Sequence, residues 1–369
     1  MKIALLSEYF PRSQEREMRG GVEARAYFIA RELAKKHDVT VYSAKEEAMS
    51  DSSEFDGINV VRVKPEVRYS QAGSLYSRFL FMRNLAKELK HGGYDVVDGL
   101  AVLTYLPAWY GGEAKRVITY HDLWVGRWVR NVGYAGVFGE VLERMVLSKR
   151  WDRIIAVSRY TKKNLIGYGI PDESVSVVPN GIDLGEYKKI KAEKFNKPTV
   201  CAVARLVKYK RLDDLLNALA RIRDDIPDIQ AKIIGCGPEL QSLRDTAIKN
   251  GLGECVDFMG YVEKHDDVLK VMKASHAVCL PSVVEGFGIT VVEAMALGVP
   301  YVASDIGAVR EATEGGVGGV LYQPGDVEGL TSSLTKVLRG GVRGGSKNIS
   351  GYDWSRRAKK VEEVYEGLF

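Results

Sequence analysis

Two successive α/β domains, each built on a parallel sheet, are predicted by three features of this 369-residue sequence. Short apolar runs alternate with helix-period segments from end to end, the rhythm occurs once in each half, and a lysine-rich polar stretch separates the halves. In the first half, Lys2–Ser7, Val39–Tyr42, Ile58–Val63, Val96–Val97, Val117–Tyr120, Arg153–Val157 and Val175–Val178 read as strands. The second half repeats the pattern at Thr199–Val203, Gln230–Ile234, Val256–Met259, Ala277–Leu280, Pro300–Ala303 and Gly319–Tyr322. A chain this long suits two cores better than one.

Residues 185–198 lack apolar periodicity and serve as a linker, which sets the expected domains at 1–184 and 199–351. A glycine-rich break at 339–348 precedes an amphipathic helix over Asp353–Tyr365, with Trp354, Ala358, Val361 and Tyr365 on one stripe. The acidic, polar segment 45–56 is expected to be a mobile surface loop.

Hydrophobic residues at 46% and charged residues at 27% are those of a globular protein, and the net charge of +5 is a mild bias toward anionic substrates or an anionic membrane face. No dense Lys/Arg block points to nucleic acid. Cys201, Cys236, Cys255 and Cys279 are scattered without C-x-x-C spacing, and read as free thiols of a reducing, cytoplasmic compartment. Met1–Ser7 is a first strand and too short for a signal segment, and no apolar run is long enough to span a membrane. There is no D-x-D and no histidine–carboxylate cluster with metal spacing, so no metal site is expected.

The chemistry concentrates after Leu280–Pro281, where Glu285 and Glu293 stand eight residues apart around the turn Gly286-Phe287-Gly288. With a helix over Ile289–Leu297, the glycines admit bare backbone N–H groups to a ligand, and the helix N-terminus favours an anion such as a diphosphate. Carboxylates beside an anion site accept hydrogen bonds from hydroxyls, which sugars and riboses supply. An ordinary strand–turn–helix corner with two exposed glutamates would share this spacing. Upstream, Arg205 and Lys210 follow the strand Thr199–Val203, offering a planar fork and a point charge for a diphosphate. Gly20 and Gly21 stand at a helix entry, His121 follows the strand Val117–Tyr120, Asn180-Gly181 follows another strand, and Gly235-Cys236-Gly237-Pro238 links a strand to a helix.

Together these segments resemble the retaining, two-domain glycosyltransferases of the GT-B architecture, in particular family 4. The likeness extends over nearly the whole chain and is most specific from Pro281 to Val309. It implies two Rossmann-like domains facing across a cleft, with a final helix that crosses back so that 352–369 joins the N-terminal domain. It also implies roles for individual residues. Glu293 would bind the ribose and Glu285 the sugar hydroxyls. Phe287, Gly288, Ile289 and Thr290 would line the donor site, with Phe287 as a packing wedge. Gly20 and Gly21 would approach a phosphate, His121 the donor sugar, and Gly235 and Gly237 the nucleotide, although Cys236 departs from the family's usual polar residue. Arg205 and Lys210 would hold the leaving diphosphate.

The implied activity is transfer of a sugar from a UDP- or GDP-linked donor to a hydroxyl acceptor, glycan or lipid-linked, with retention and without metal or other cofactor. No carboxylate suited to a double displacement is evident, so a front-face route is expected. The basic segments 75–90 and 124–130 read as a core-packing helix and a loop of an acceptor pocket, or as surfaces that lie on an anionic inner membrane face and reach a lipid-linked acceptor. The alternatives are a sugar-nucleotide epimerase of related architecture and a non-catalytic two-lobed binding protein.

Overall fold

The computed structural model describes residues 1–12, 18, 20–66 and 74–369. The chain forms two compact units, Met1–Gly181 with Trp354–Phe369, and Ile182–Asp353.

The first unit contains strands β1 (Lys2–Leu6), β2 (Asp38–Ala44), β3 (Ser52–Phe55), β4 (Ile58–Val63), β5 (Val96–Gly99), β6 (Lys115–Tyr120), β7 (Arg153–Ala156) and β8 (Val175–Val177). They form one sheet in the order β3-β4-β2-β1-β5-β6-β7-β8, parallel except for β3. Strand alternation sends Ile3 and Leu5 to one face and Ala4 and Leu6 to the other. The first face packs on the helices Gly21–Leu33 and Trp354–Glu366, the second on Leu75–Leu89, Val102–Trp109 and Gly136–Leu147. Both faces are covered, which is why the strands read as continuous apolar runs.

The expected loop 45–56 is corrected here: its second half is β3, antiparallel to β4 with Phe55 opposite Ile58. Phe55 is buried against Phe10, at 5.9 Å between ring centroids. One buried aromatic and a backbone ladder hold an otherwise polar edge strand, a pattern that composition alone conceals.

The returning helix Trp354–Glu366 buries Trp354, Ala358, Val361 and Tyr365, the stripe its periodicity predicts. Trp354 stacks on Phe28, with centroids 5.5 Å apart. At the other end the Tyr365 hydroxyl donates to Asp98 Oδ2 at 2.6 Å, and Thr119 Oγ1 donates to the same carboxylate at 3.0 Å. Burial raises the Asp98 pKa to about 6, against the opposing pull of these hydrogen bonds and of Arg25. Arg25 is itself buried, and its Nη1 donates to the carbonyls of Val178 and Pro179 and to Asn180 Oδ1, at 3.0, 3.2 and 3.0 Å. The Asn180 turn is thus anchored to the helix Gly21–Leu33.

The second unit contains β9 (Thr199–Val203), β10 (Gln230–Ile234), β11 (Val256–Gly260), β12 (Ala277–Leu280), β13 (Tyr301–Ser304) and β14 (Gly319–Tyr322), all parallel in the order β11-β10-β9-β12-β13-β14. The expected linker 185–198 is also corrected, because it packs as part of this unit. A short helix, Leu184–Tyr187, buries Tyr187, Ile190 is buried beyond it, and the Phe195 amide donates to the Ala274 carbonyl at 3.0 Å. Two buried apolar residues three apart dock the segment, Lys194 Nζ adds a hydrogen bond to the Lys273 carbonyl at 2.9 Å, and Lys188, Lys189, Lys191 and Lys197 stay exposed.

Asp98 generates a pH prediction. Its folded-state pKa lies above its ordinary value of 3.8, so the folded state holds the proton more tightly and this group's contribution to stability falls as pH rises through about 4 to 6. Asp98→Asn removes that slope: relative to wild type it should gain up to about 3 kcal/mol between pH 4 and pH 7 in urea denaturation. Tyr365→Phe should cost about 1–3 kcal/mol at pH 7 and less at pH 4, where the carboxyl is protonated.

Candidate active site

In the second unit β9 has β10 on one side and β12 on the other, so the chain leaves β9 at the point where the strand order reverses, the place where open α/β sheets bind ligands. Three strand exits meet there. After β9 the backbone runs through Arg205 into a 3-10 turn, Lys208–Lys210, and then Arg211 takes a left-handed φ of 51° before the helix Leu212–Ile222. That strained residue is held by a fork–fork pair with buried Asp214, at 2.8 and 2.6 Å. Arg205 is exposed, and its Nη2 donates to the Tyr209 hydroxyl at 2.5 Å.

The exit of β10 explains Gly235 and Gly237. Gly235 has φ +136°, and a Cβ there would lie 1.9 Å from the Ala204 carbonyl oxygen; one at Gly237 would lie 2.3 Å from that of Leu206. The two loops are stitched backbone to backbone, with Ala204 N donating to Ile234 O at 3.0 Å and Leu206 N to Cys236 O at 2.9 Å. Packing therefore requires both glycines. Cys236 between them is exposed.

The exit of β12 carries the carboxylates. Val283 N donates to the Tyr209 carbonyl at 2.9 Å, which joins this loop to the 3-10 turn. Lys210 Nζ lies 2.5 Å from Glu285 Oε1, so a predicted diphosphate cation and a predicted sugar-binding acid neutralise one another. Phe287 is buried 6.2 Å from the Tyr352 ring, as a wedge should be. Gly288, at φ +84°, opens the helix Ile289–Leu297, whose N-terminus has no side-chain cap. Its first N–H groups therefore face the loop as donors for an anion. Thr290 Oγ1 turns away from that role and donates to the Val203 carbonyl at 3.3 Å. Glu293 is buried, with Oε1 accepting from the Tyr187 hydroxyl at 2.9 Å and lying 3.2 Å from His265 Nε2.

In the first unit, Gly20 and Gly21 stand where sequence places them, as the extended N-cap and first residue of the helix Gly21–Leu33. No described atom lies within 4 Å of where a Gly20 Cβ would sit, so packing against the described residues does not require a glycine there. His121 follows β6. Its carbonyl accepts from Thr161 Oγ1 at 3.3 Å, and Ser158 Oγ in turn caps Thr161 N at 2.9 Å. His121 Nε2 is shielded from solvent and has no hydrogen-bond partner among the described residues. Burial, and then the charge of Arg25, push its pKa down to about 3, so the ring is a neutral imidazole at ordinary pH.

Sequence reasoning missed Tyr187, Tyr209 and His265, which touch the predicted residues. Only His265 carried a local signal, a histidine opening an acidic first turn with Asp266 and Asp267.

Comparison with known proteins adds the family. The model of the group 1 glycosyl transferases matches residues 185–360, and that of glycosyltransferase family 4 matches residues 19–186. A GDP-mannose-dependent α-(1-6)-phosphatidylinositol monomannoside mannosyltransferase of Mycolicibacterium smegmatis is 26% identical over 95% of this chain and 95% of its own length. Among solved structures, sucrose-phosphate synthase of Thermosynechococcus elongatus superposes with a TM-score of 0.80 at 19% identity, covering 100% of this chain and 99% of its own. The HepE protein of Anabaena in complex with UDP-glucose superposes at 0.73 and 19% identity, each chain covered to 100%. With two parallel-sheet α/β units, GT-B structural neighbours and family models matched along both halves, the chain is a family 4, group 1 glycosyltransferase.

Proposed function

We propose that this glycosyltransferase moves a sugar from a UDP- or GDP-linked donor to a hydroxyl acceptor with retention of configuration and without a metal. The observation that carries the reading is the Lys210–Glu285 pair, which joins the exit of β9 to that of β12, with Arg205 on the same β9 exit and Glu293 in the helix that follows Glu285. In the proposed reaction the bond from the anomeric carbon to the diphosphate oxygen breaks, and the acceptor oxygen bonds to the same face of that carbon. The acceptor proton passes to the departing phosphate oxygen. Lys210 exchanges Glu285 for the diphosphate, and with Arg205 it holds the charge that develops on the leaving group. Glu285 is then released to accept hydrogen bonds from the sugar hydroxyls, and Glu293 from the ribose. Gly20 and Gly21 are assigned to a phosphate. His121, uncharged, is assigned to the donor sugar as a hydrogen-bond partner and not as an acid.

The two donor bases are those of the relatives: GDP-mannose for the mycobacterial enzyme, UDP-glucose for the Anabaena protein. For the acceptor we favour a lipid-linked hydroxyl reached at an anionic membrane surface from the cytoplasm. No helix of the described residues is long and apolar enough to cross a membrane. The support is a face of the first unit where Val129, Tyr134, Val137, Val141 and Met145 are exposed, with Arg127 and Arg130 exposed beside them. Trp128 does not belong to that face, since its Nε1 donates to the buried Glu143 at 2.7 Å.

Incubation with UDP- and GDP-sugars in the presence of EDTA should release the matching nucleoside diphosphate, and NMR of the product should show an unchanged anomeric configuration. Interconversion of the donor sugar without nucleotide release would identify an epimerase instead, and binding without turnover a non-catalytic protein. Lys210→Ala should lower kcat by roughly 100-fold or more while the protein stays folded. In flotation assays with phosphatidylglycerol vesicles, the double substitution Tyr134→Asp and Val137→Asp should reduce binding by about tenfold or more. Equal flotation of wild type and variant would remove the membrane reading.

A further inference from the structure

Glu293 is held in a way the transfer reaction does not by itself require. The Tyr187 hydroxyl and His265 Nε2 both converge on its Oε1, at 2.9 and 3.2 Å, and they lie 3.3 Å from one another. No hydrogen bond reaches Oε2 among the described residues. Burial and the neighbouring carboxylate hold the Tyr187 pKa well above its ordinary value, so it stays a phenol whose one proton goes to Oε1. Its oxygen is then an acceptor, and a proton on His265 Nε2 is shared between that oxygen and Oε1. The carboxylate is pinned at one oxygen from two directions.

We infer that Tyr187 and His265 are positioning residues for Glu293, committing one carboxylate oxygen to the protein so that the other is preset for a ribose diol, with the charge on His265 offsetting the carboxylate's beside the diphosphate. The inference rests on the donor reading above. A carboxylate near a diphosphate repels it, and a flexible glutamate would lose rotamer freedom on binding. A clamp that both fixes and neutralises it reduces both costs. The same arrangement gives the segment 185–198 a second duty, because the residue that docks it is also the clamp's phenol.

Burial pulls the His265 pKa down, but the hydrogen bond and charge of Glu293, with Asp266, outweigh it and the net shift is upward from 6.5. The groups facing the imidazole are Glu293 from the helix Ile289–Leu297, Tyr187 from the helix Leu184–Tyr187 and Asp266 on its own helix. Cys201 on the neighbouring β9 is a neutral thiol, its pKa pushed up to about 12 by burial. Below the raised pKa the Glu293–His265 pair carries no net charge; above it, one negative charge remains. Diphosphate affinity should therefore fall as pH rises through the His265 transition.

The test is isothermal titration of UDP and GDP into the full chain between about pH 6 and pH 9. Wild type should lose roughly three- to tenfold in affinity across that range beyond any change seen with His265→Gln. His265→Gln should show no such step and bind as wild type does at the alkaline end. Tyr187→Phe should keep the step but bind roughly three- to tenfold more weakly throughout. In turnover, both losses should fall on the donor KM and leave kcat nearly unchanged. If His265→Gln keeps wild-type affinity and pH profile, the clamp is refuted while the donor reading stands. If wild type binds neither nucleotide at any pH, the donor reading fails. The clamp geometry is then judged by NMR titration of the His265 ring, whose pKa must drop toward 6.5 in Glu293→Gln; no drop overturns the clamp.

Discussion

A backbone-to-backbone seam governs the second unit. The loop leaving β10 lies against the loop leaving β9 so closely that a single methyl at Gly235 would sit 1.9 Å from the Ala204 oxygen. No side chain intervenes, so the path of 204–207 is set by main-chain hydrogen bonds, and with it the origin of Arg205 and the turn that presents Lys210. The loop after β12 joins the same seam through the Val283 amide. Positioning by main chain is stiffer than positioning by rotamers, so the loop backbone that carries Arg205 and Lys210 is fixed even where their side chains can move.

Buried charge is handled differently in the two units. In the first, Asp98 accepts from two hydroxyls and Arg25 Nη1 donates to two carbonyls and an amide oxygen, while the buried Arg25 Nη2 has no partner among the described residues, and the desolvation cost is visible in both pKa values: Asp98 rises to about 6 and Arg25 falls to about 10. That network ties the returning helix and the Asn180 turn to the sheet, and its work is structural. In the second, Lys210 pairs with Glu285 at 2.5 Å and His265 with Glu293 at 3.2 Å, side chain to side chain between loops and helices distant in the sequence. In the proposed reaction Lys210 exchanges Glu285 for the diphosphate, whereas His265 stays with Glu293 as part of the clamp.

Much of the fold was legible because parallel strands covered on both faces are dense in β-branched and apolar residues. Ile58–Val63, Thr199–Val203, Gln230–Ile234, Ala277–Leu280 and Gly319–Tyr322 have the bounds expected from sequence. β3 was not legible, since an edge strand needs only one buried side chain, and Phe55 among acids looks like a loop residue. The segment 185–198 misled for the same reason, its two docking residues being outnumbered by lysines.

The site divides along similar lines. The chain by itself determined the Glu285–Glu293 spacing, the glycine turn between them, the helix that follows and the cations after β9, because these depend on neighbours within a few residues and on strand–loop–helix geometry. Only the tertiary structure decided who meets whom. Lys210 finds Glu285 across 75 positions, and Glu293 finds Tyr187 across 106. Such pairings arise where parallel strands bring distant loops to one sheet edge, and the strand order that does so is set by the packing of the whole core, which no local spacing encodes.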